Sequence, residues 1–128
     1  MDEKTFIKRA TGIGLEVIRL ADELPRTRSA DIIARQLIRS ATSVGANYRA
    51  SCRARSVNEV IAKLGIVEEE ADETLYWLDL LAASGIASPG RLAALRQETD
   101  EVLAMTVASK RTLKSRASIG NRKSEIGN

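Results

Sequence analysis

The run Gln36-Leu37-Ile38-Arg39-Ser40-Ala41-Thr42-Ser43-Val44-Gly45-Ala46-Asn47-Tyr48-Arg49-Ala50-Ser51-Cys52-Arg53-Ala54-Arg55-Ser56 decides the fold of this chain. Projected at about 100° per residue, the run and the turn before it divide into three helical faces. Ile33, Leu37, Ala41, Val44 and Tyr48 make an apolar stripe that has to be buried. Beside it runs a line of short polar side chains, Gln36, Ser40, Ser43 and Asn47. A third stripe, Arg35, Arg39, Ala46, Arg49 and Arg53, is mostly basic. Small side chains between a core face and a charged face let a second helix approach closely, with hydroxyls and amides as bonding partners. The polar line is therefore read as tight helix packing, the alternative being a ligand site. The helix ends in an arginine-rich elbow.

Upstream, Phe6, Ala10, Ile13, Val17, Leu20 and Leu24 recur at threes and fours and predict an amphipathic helix over about 3–24. Pro25 closes it, because the residue before a proline is pushed out of helical geometry. Ser29 is the expected N-cap of the central helix, over about 30–52. Downstream, Ser56-Val57-Asn58-Glu59 spells a capping box ahead of an apolar run. Val57, Val60, Leu64, Val67, Ala71, Leu75, Leu78 and Ala82 form the core stripe of a third helix over about 57–84, stopped by Gly85. Ser88-Pro89 reads as N-cap and first helical residue of a fourth helix over about 89–116, with Leu92, Leu95, Thr99, Val102, Thr106 and Leu113 inward. Residues 117–128, rich in Ser, Gly and Asn, are expected to be a frayed tail. Residues 1–116 thus make one all-α domain, an up-down-up-down antiparallel four-helix bundle.

Composition agrees. A chain of 128 residues suffices to bury roughly two-thirds of its unfolded surface in one core. Only Phe6, Tyr48, Tyr76 and Trp77 are aromatic, so that core is aliphatic and alanine-rich, which suits helix on helix. Cys52 is alone and excludes an intrachain disulfide; a cytoplasmic location is expected. The acidic start, Asp2-Glu3, lacks the apolar segment of a signal peptide, and no apolar run approaches the ~20 residues of a membrane span. The absence of histidine removes Ser-His-Asp and Cys-His nucleophilic machinery and every histidine-containing metal site.

A net charge of +3 hides strong segregation. Residues 25–58 carry seven arginines and one acid, Asp31; residues 59–79 carry seven acids and Lys63; residues 110–128 carry six bases and Glu125. With the second and third helices antiparallel, Arg35 and Arg39 fall level with Glu68 to Glu73 and are expected to pair with them. Arg49, Arg53 and Arg55 lack such partners. In an up-down bundle the start of the first helix (Lys4, Lys8, Arg9) and the end of the fourth (Lys110, Arg111, Lys114, Arg116) reach the same end. Three basic clusters thus converge on one pole, with Arg49, Arg53, Arg55, Lys110, Arg111 and Lys114 as the expected phosphate-binding set. Tyr48 is committed to the core, so recognition of a nucleic acid would rest on backbone and shape, without base stacking. The third helix also carries a second apolar stripe, Ile66, Trp77 and Leu81. With Arg39 across the groove, it is the expected subunit interface.

One pattern points to an enzyme. Glu69-Glu70-x-x-Glu73 with Glu98-x-x-Glu101 resembles the Mg²⁺-holding carboxylates of all-α nucleotide pyrophosphatases, but departs from their Glu-x-x-Asp ending. A di-iron site of the Glu-x-x-His kind cannot exist without histidine.

The residues Arg39-Ser40-Ala41-Thr42-Ser43-Val44-Gly45-Ala46-Asn47-Tyr48, Arg55-Ser56, Lys63-Leu64, Glu69-Glu70-Ala71-Asp72-Glu73 and Tyr76-Trp77-Leu78 resemble, in order and spacing, the bacterial four-helix-bundle family. This family is also called the 23S rRNA-intervening-sequence protein family, because members are encoded inside insertions in large-subunit ribosomal RNA genes. The likeness spans most of residues 5–115. Arg49-Ala50 departs from the Glu-Gly of many members and makes this elbow more basic. The resemblance implies a four-helix bundle assembling as a ring-shaped homopentamer, without an established enzymatic activity. In fold and assembly it is also similar to the accessory protein of diversity-generating retroelements, a basic pentamer that binds nucleic acid and a reverse transcriptase; no residues carry across. The expectation is thus a non-enzymatic, cofactor-free homo-oligomer that binds RNA or DNA backbone. The alternatives are an adaptor docking a protein partner and a Mg²⁺-dependent nucleotide pyrophosphatase.

Overall fold

A helix leaves its first four amides without internal partners, and in this chain every helix start supplies a side-chain oxygen for one of them. The computed structural model describes residues 2–127, and side chains as far as residue 120. Its elements are α1 (Glu3–Glu23), α2 (Arg28–Cys52), α3 (Val57–Ala83) and α4 (Pro89–Gly127), with no strand among the described residues. The Asp2 carboxylate accepts from Thr5 N–H at 2.7 Å, Thr27 Oγ1 from Ala30 at 3.2 Å, Ser56 Oγ from Glu59 at 3.1 Å and Ser88 Oγ from Arg91 at 3.2 Å. The cap of α2 is thus Thr27, not Ser29: an earlier hydroxyl reaches an amide and starts the helix two residues sooner. The box at Ser56 is also displaced, since the Glu59 carboxylate accepts from Arg55 N–H at 3.2 Å. Gly85 sits at φ +75°, a left-handed turn that only glycine takes without strain.

The fourth helix does not fade near Arg116. It continues to Gly127, 39 residues or about 58 Å. No proline interrupts this stretch, and adding a residue to a formed helix needs no new nucleus. Residue 128 lies outside the described residues.

Among the described residues α1 packs on α2 and α4, α3 packs on α2 and α4, and the backbones of the diagonal pairs stay apart. Ion pairs fix the direction of α4 against α1 and α3. Glu23 and Arg91 meet at 2.6 Å where α1 ends and α4 begins, while Arg9 near the start of α1 reaches Glu98 and Glu101 further along α4. Arg96 holds Asp79 and Lys110 holds Glu68, so α4 also runs against α3. Arg39 holds Glu70 and Glu73 across the α2–α3 groove, whereas Arg35, expected to pair there too, is exposed and makes no ion pair among the described residues; the short link 53–56 turns α3 back along α2. The bundle is square, with neighbours antiparallel.

Phe6, Ala10, Ile13, Val17, Leu20 and Leu24 of the first stripe are all buried, as are Ile33, Leu37, Ala41 and Val44 of the second. From α3 and α4 come Leu64, Val67, Ala71, Leu75, Leu78, Leu92, Leu95 and Val102, with Thr99 and Thr106 bonding back to carbonyls one turn earlier. Two expectations fail. Val57 is 48% exposed, because the first residue of α3 precedes the packed part of that helix. Leu81 is fully buried in the core of its own chain, since it lies on the side of α3 turned toward α2.

The polar line of α2 does pack tightly. Ser40 Oγ lies 2.9 Å from Thr74 Oγ1 of α3, and each hydroxyl also approaches a carbonyl of its own helix, Leu37 O at 3.2 Å and Glu70 O at 2.8 Å. Asn47 donates to Ser43 O at 2.9 Å and Ser43 Oγ at 2.8 Å. On the other flank of α2, a Cβ placed on Gly45 would stand 3.7 Å from the Ala10 backbone of α1. Small residues therefore set the spacing to both neighbours.

Candidate nucleic-acid interface

The antiparallel register brings the basic clusters to one pole, and the ion pairs then divide them. A single cleft of about 310 Å³ is lined by Glu3 of α1, Tyr48 and Cys52 of α2, Ala54 of the elbow, Val60 and Leu64 of α3, and Ser109 and Leu113 of α4. All four helices and the elbow therefore meet here. The pairs Asp79–Arg96 and Glu68–Lys110 extrapolate to place the start of α3 beside residues near 120 of α4. By the same register Arg111, Lys114 and Arg116 lie beside about residues 62–67 of α3, roughly two to three turns short of the elbow that holds Arg53 and Arg55.

Lys110 does not belong to the free set. Its ammonium donates to Glu68 and is largely covered, so it joins α3 to α4. Arg9 is likewise spent between α1 and α4: it donates to Glu98, lies 3.8 Å from Glu101, and approaches Met105 Sδ at 3.3 Å. Arg49 is exposed but stands on the flank, lining a groove between α1 and α2 with Gly14, Leu15, Ile18 and Gly45. At the pole, Lys4, Arg53, Arg55, Arg111, Lys114 and Arg116 are exposed and make no ion pair among the described residues. Lys4 carries its own sequence signal, a base in the first turn of α1, whereas Arg116 lies inside α4, which continues to Gly127. The Glu68–Lys110 contact has no sequence signal, because it depends on which side of α3 faces α4.

Among the described residues no free aromatic ring stands at the pole. Tyr48 stacks on Phe6 with ring centroids 3.8 Å apart and planes at 14°. Burial, with a smaller contribution from neighbouring Cys52, pushes its phenol up to about 12. Burial, then the Glu3 carboxylate, raises the Cys52 thiol as well, so Cys52 is a poor nucleophile at neutral pH.

The acidic pattern is split between two sides of the bundle. Glu70 and Glu73 face α2 and hold Arg39; Glu98 and Glu101 face α1 and surround Arg9. The two halves of the Mg²⁺ pattern do not converge, because the helical turn that points one half at α2 points the other at α1.

Of the expected interface residues, Leu81 belongs to the core. Arg39 is on the α2–α3 groove in its pair with Glu70 and Glu73, and Trp77 Nε1–H donates to Glu73 at 3.2 Å. Ile66 and Trp77 are partly exposed, and Tyr76, edge-on to Trp77 at 5.0 Å, is 57% exposed. Sequence reasoning missed Leu15 and Ile18, 50% and 43% exposed on α1. Both are apolar residues outside the buried stripe, which was the signal available.

These features define a helical class: an antiparallel four-helix bundle, basic at one tip, with no helix long and apolar enough to cross a membrane among the described residues. The chain belongs to the 23S rRNA-intervening sequence protein family, whose sequence profile matches residues 3–108. It is similar to a solved structure from Bacteroides thetaiotaomicron VPI-5482, a protein with unknown function from the S23 ribosomal protein family. The identity is 25%, over 87% of this chain and 99% of that one, with a TM-score of 0.80. No curated protein matches the chain.

Proposed function

We propose that this protein is a cytoplasmic, non-enzymatic homo-oligomer that binds RNA or DNA backbone through its basic pole. One observation carries the reading. After the internal ion pairs are subtracted, Arg53, Arg55, Arg111 and Lys114, flanked by Lys4 and Arg116, remain on segments that meet at one end. Helix capping favours a base in a final turn but does not require bases from three separate segments at one tip. With Tyr48 partly buried and its ring stacked on Phe6, the contacts are to phosphates, and sequence preference is weak. In a ring such as the homopentamer of the family likeness, five poles would act on one strand or duplex, and avidity would amplify each weak site.

The test is a titration of duplex DNA and of structured RNA at several salt concentrations. Affinity should fall steeply with salt, by about 0.9 in the logarithmic slope for each duplex phosphate neutralised. Absence of binding at low salt, or binding indifferent to salt, refutes the reading.

A further inference from the structure

The far end of α4 carries a surface that the bundle does not use. From Arg111 to Gly120 every residue is exposed except Leu113 and Ala117, which are partly covered. At about 100° per residue, Leu113, Ala117 and Gly120 share one side of the helix, and Leu113 on that side lines the cleft at the pole. The opposite, outward side has Thr112, Ser115 and Ile119 along its centre. Thr112 Oγ1 donates back to Ala108 O at 3.0 Å, so this side chain stays close to the helix. Arg111 and Arg116 flank the central line, roughly 140° apart around the axis and about 8 Å apart along it. Lys114 stands one step further round beyond Arg111. Between Glu101 and Gly120 the helix has no acid, and Arg111, Lys114 and Arg116 make no ion pair among the described residues.

This segment lies beyond residue 108, where the family profile ends, and α4 passes the start of α3 near residue 120. Its outer side is therefore open to a large partner. Ile119, 48% exposed, packs on nothing that would account for it. A helix with basic flanks and a low centre complements a trough walled by phosphates. The major groove of B-form DNA, about 12 Å wide, matches a helix of about 10–12 Å diameter. The major groove of an RNA duplex is deep and narrow and does not admit one. We infer that α4 over residues 111–120 lies in the major groove of duplex DNA. Arg111 and Lys114 take one phosphate wall, Arg116 takes the other, and Ser115 and Ile119 face the base edges. The inference rests on the nucleic-acid reading above and narrows it to duplex DNA. A serine hydroxyl suits several base edges and an isoleucine meets only a thymine methyl, so sequence preference stays weak.

The full-length protein is titrated with a short DNA duplex and with an RNA duplex of the same sequence. DNA should bind about tenfold more tightly or better. Guanine N7, which opens into the major groove, should be protected from methylation by dimethyl sulfate, and a minor-groove ligand should not compete. Ser118→Pro keeps every base but breaks the helix within the segment, and should lower DNA affinity by about tenfold. Ser118→Ala, which alters the same exposed side chain without breaking the helix, should bind as the wild type does. Arg111→Ala with Arg116→Ala should flatten the salt slope by up to about 0.9 for each. All these positions are exposed and lie beyond the packed part of α4, so thermal melts should be unchanged. A wild type that binds no DNA overturns both this inference and the reading beneath it. DNA binding that leaves guanine N7 reactive, RNA bound as tightly as DNA, or a Ser118→Pro variant that binds like the wild type overturns the groove contact alone.

Discussion

Lys110 on α4 donates to Glu68 on α3, and this one pair removes from the basic pole a residue whose position along the chain makes it look like part of the site. The pair is mostly covered and joins two helices, so the ammonium is committed before a phosphate arrives. Lys110→Gln should leave the salt slope for duplex DNA unchanged and cost no more than about 1 kcal/mol of stability. Arg53→Ala, Arg55→Ala, Arg111→Ala and Lys114→Ala should each flatten that slope by up to about 0.9. Binding titrations across a salt series, paired with urea denaturation, read both effects.

Helix spacing at Gly45 gives a graded expectation. A Cβ there would meet Ala10 backbone atoms at 3.7 and 3.8 Å, ordinary contact distances. Gly45→Ala should therefore be tolerated and should stabilise by up to about 1 kcal/mol through helix propensity. Gly45→Leu should force α1 outward and cost about 1–3 kcal/mol. Thermal melts of the two variants against the wild type would show opposite shifts; equal shifts would mean that α1 does not lie against Gly45.

Tyr48 makes stability fall at alkaline pH. Its phenol is raised from an ordinary 10.0 to about 12 in the folded chain, chiefly by burial. A raised acid favours the folded state fully below the unfolded value, and the contribution disappears as pH climbs from about 10 through 12. Cys52, raised in the same direction, adds to the loss once pH passes the ordinary thiol value of 9.0. Urea denaturation at pH 8 and pH 11 should show the drop. Tyr48→Phe should make the profile shallower, and an unchanged profile would contradict the burial.

Leu81 discriminates between a core and an interface role. It is fully buried within one chain, so Leu81→Ala should cost about 2–5 kcal/mol as a core cavity. Below its melting temperature the variant should keep the wild-type mass by light scattering. A stable variant that has lost assembly would return Leu81 to the interface.

Much of this molecule was legible in one dimension. Periodicity marked the inward residues of α1, all six of them buried, and Ser56, Gly85 and Ser88 fixed helix boundaries through contacts that span three residues or fewer. That the elbow at Ala54 and the Leu113 turn of α4 line one cleft was also within reach, because antiparallel direction follows from short connections.

What only the tertiary structure decided is the allocation of side chains between neighbours. Glu68 takes Lys110 while Glu70 and Glu73 take Arg39, although the three acids lie within five residues of one another. The physical reason is the 100° turn between successive residues, which sends close neighbours in sequence to different partner helices. The same turn buried Leu81, left Tyr76 exposed and split the acidic motif, because which side of α3 meets α2 or α4 is settled only when four helices pack as a square. Sequence thus determined which helices form and how they alternate; packing determined which charges remain free to act.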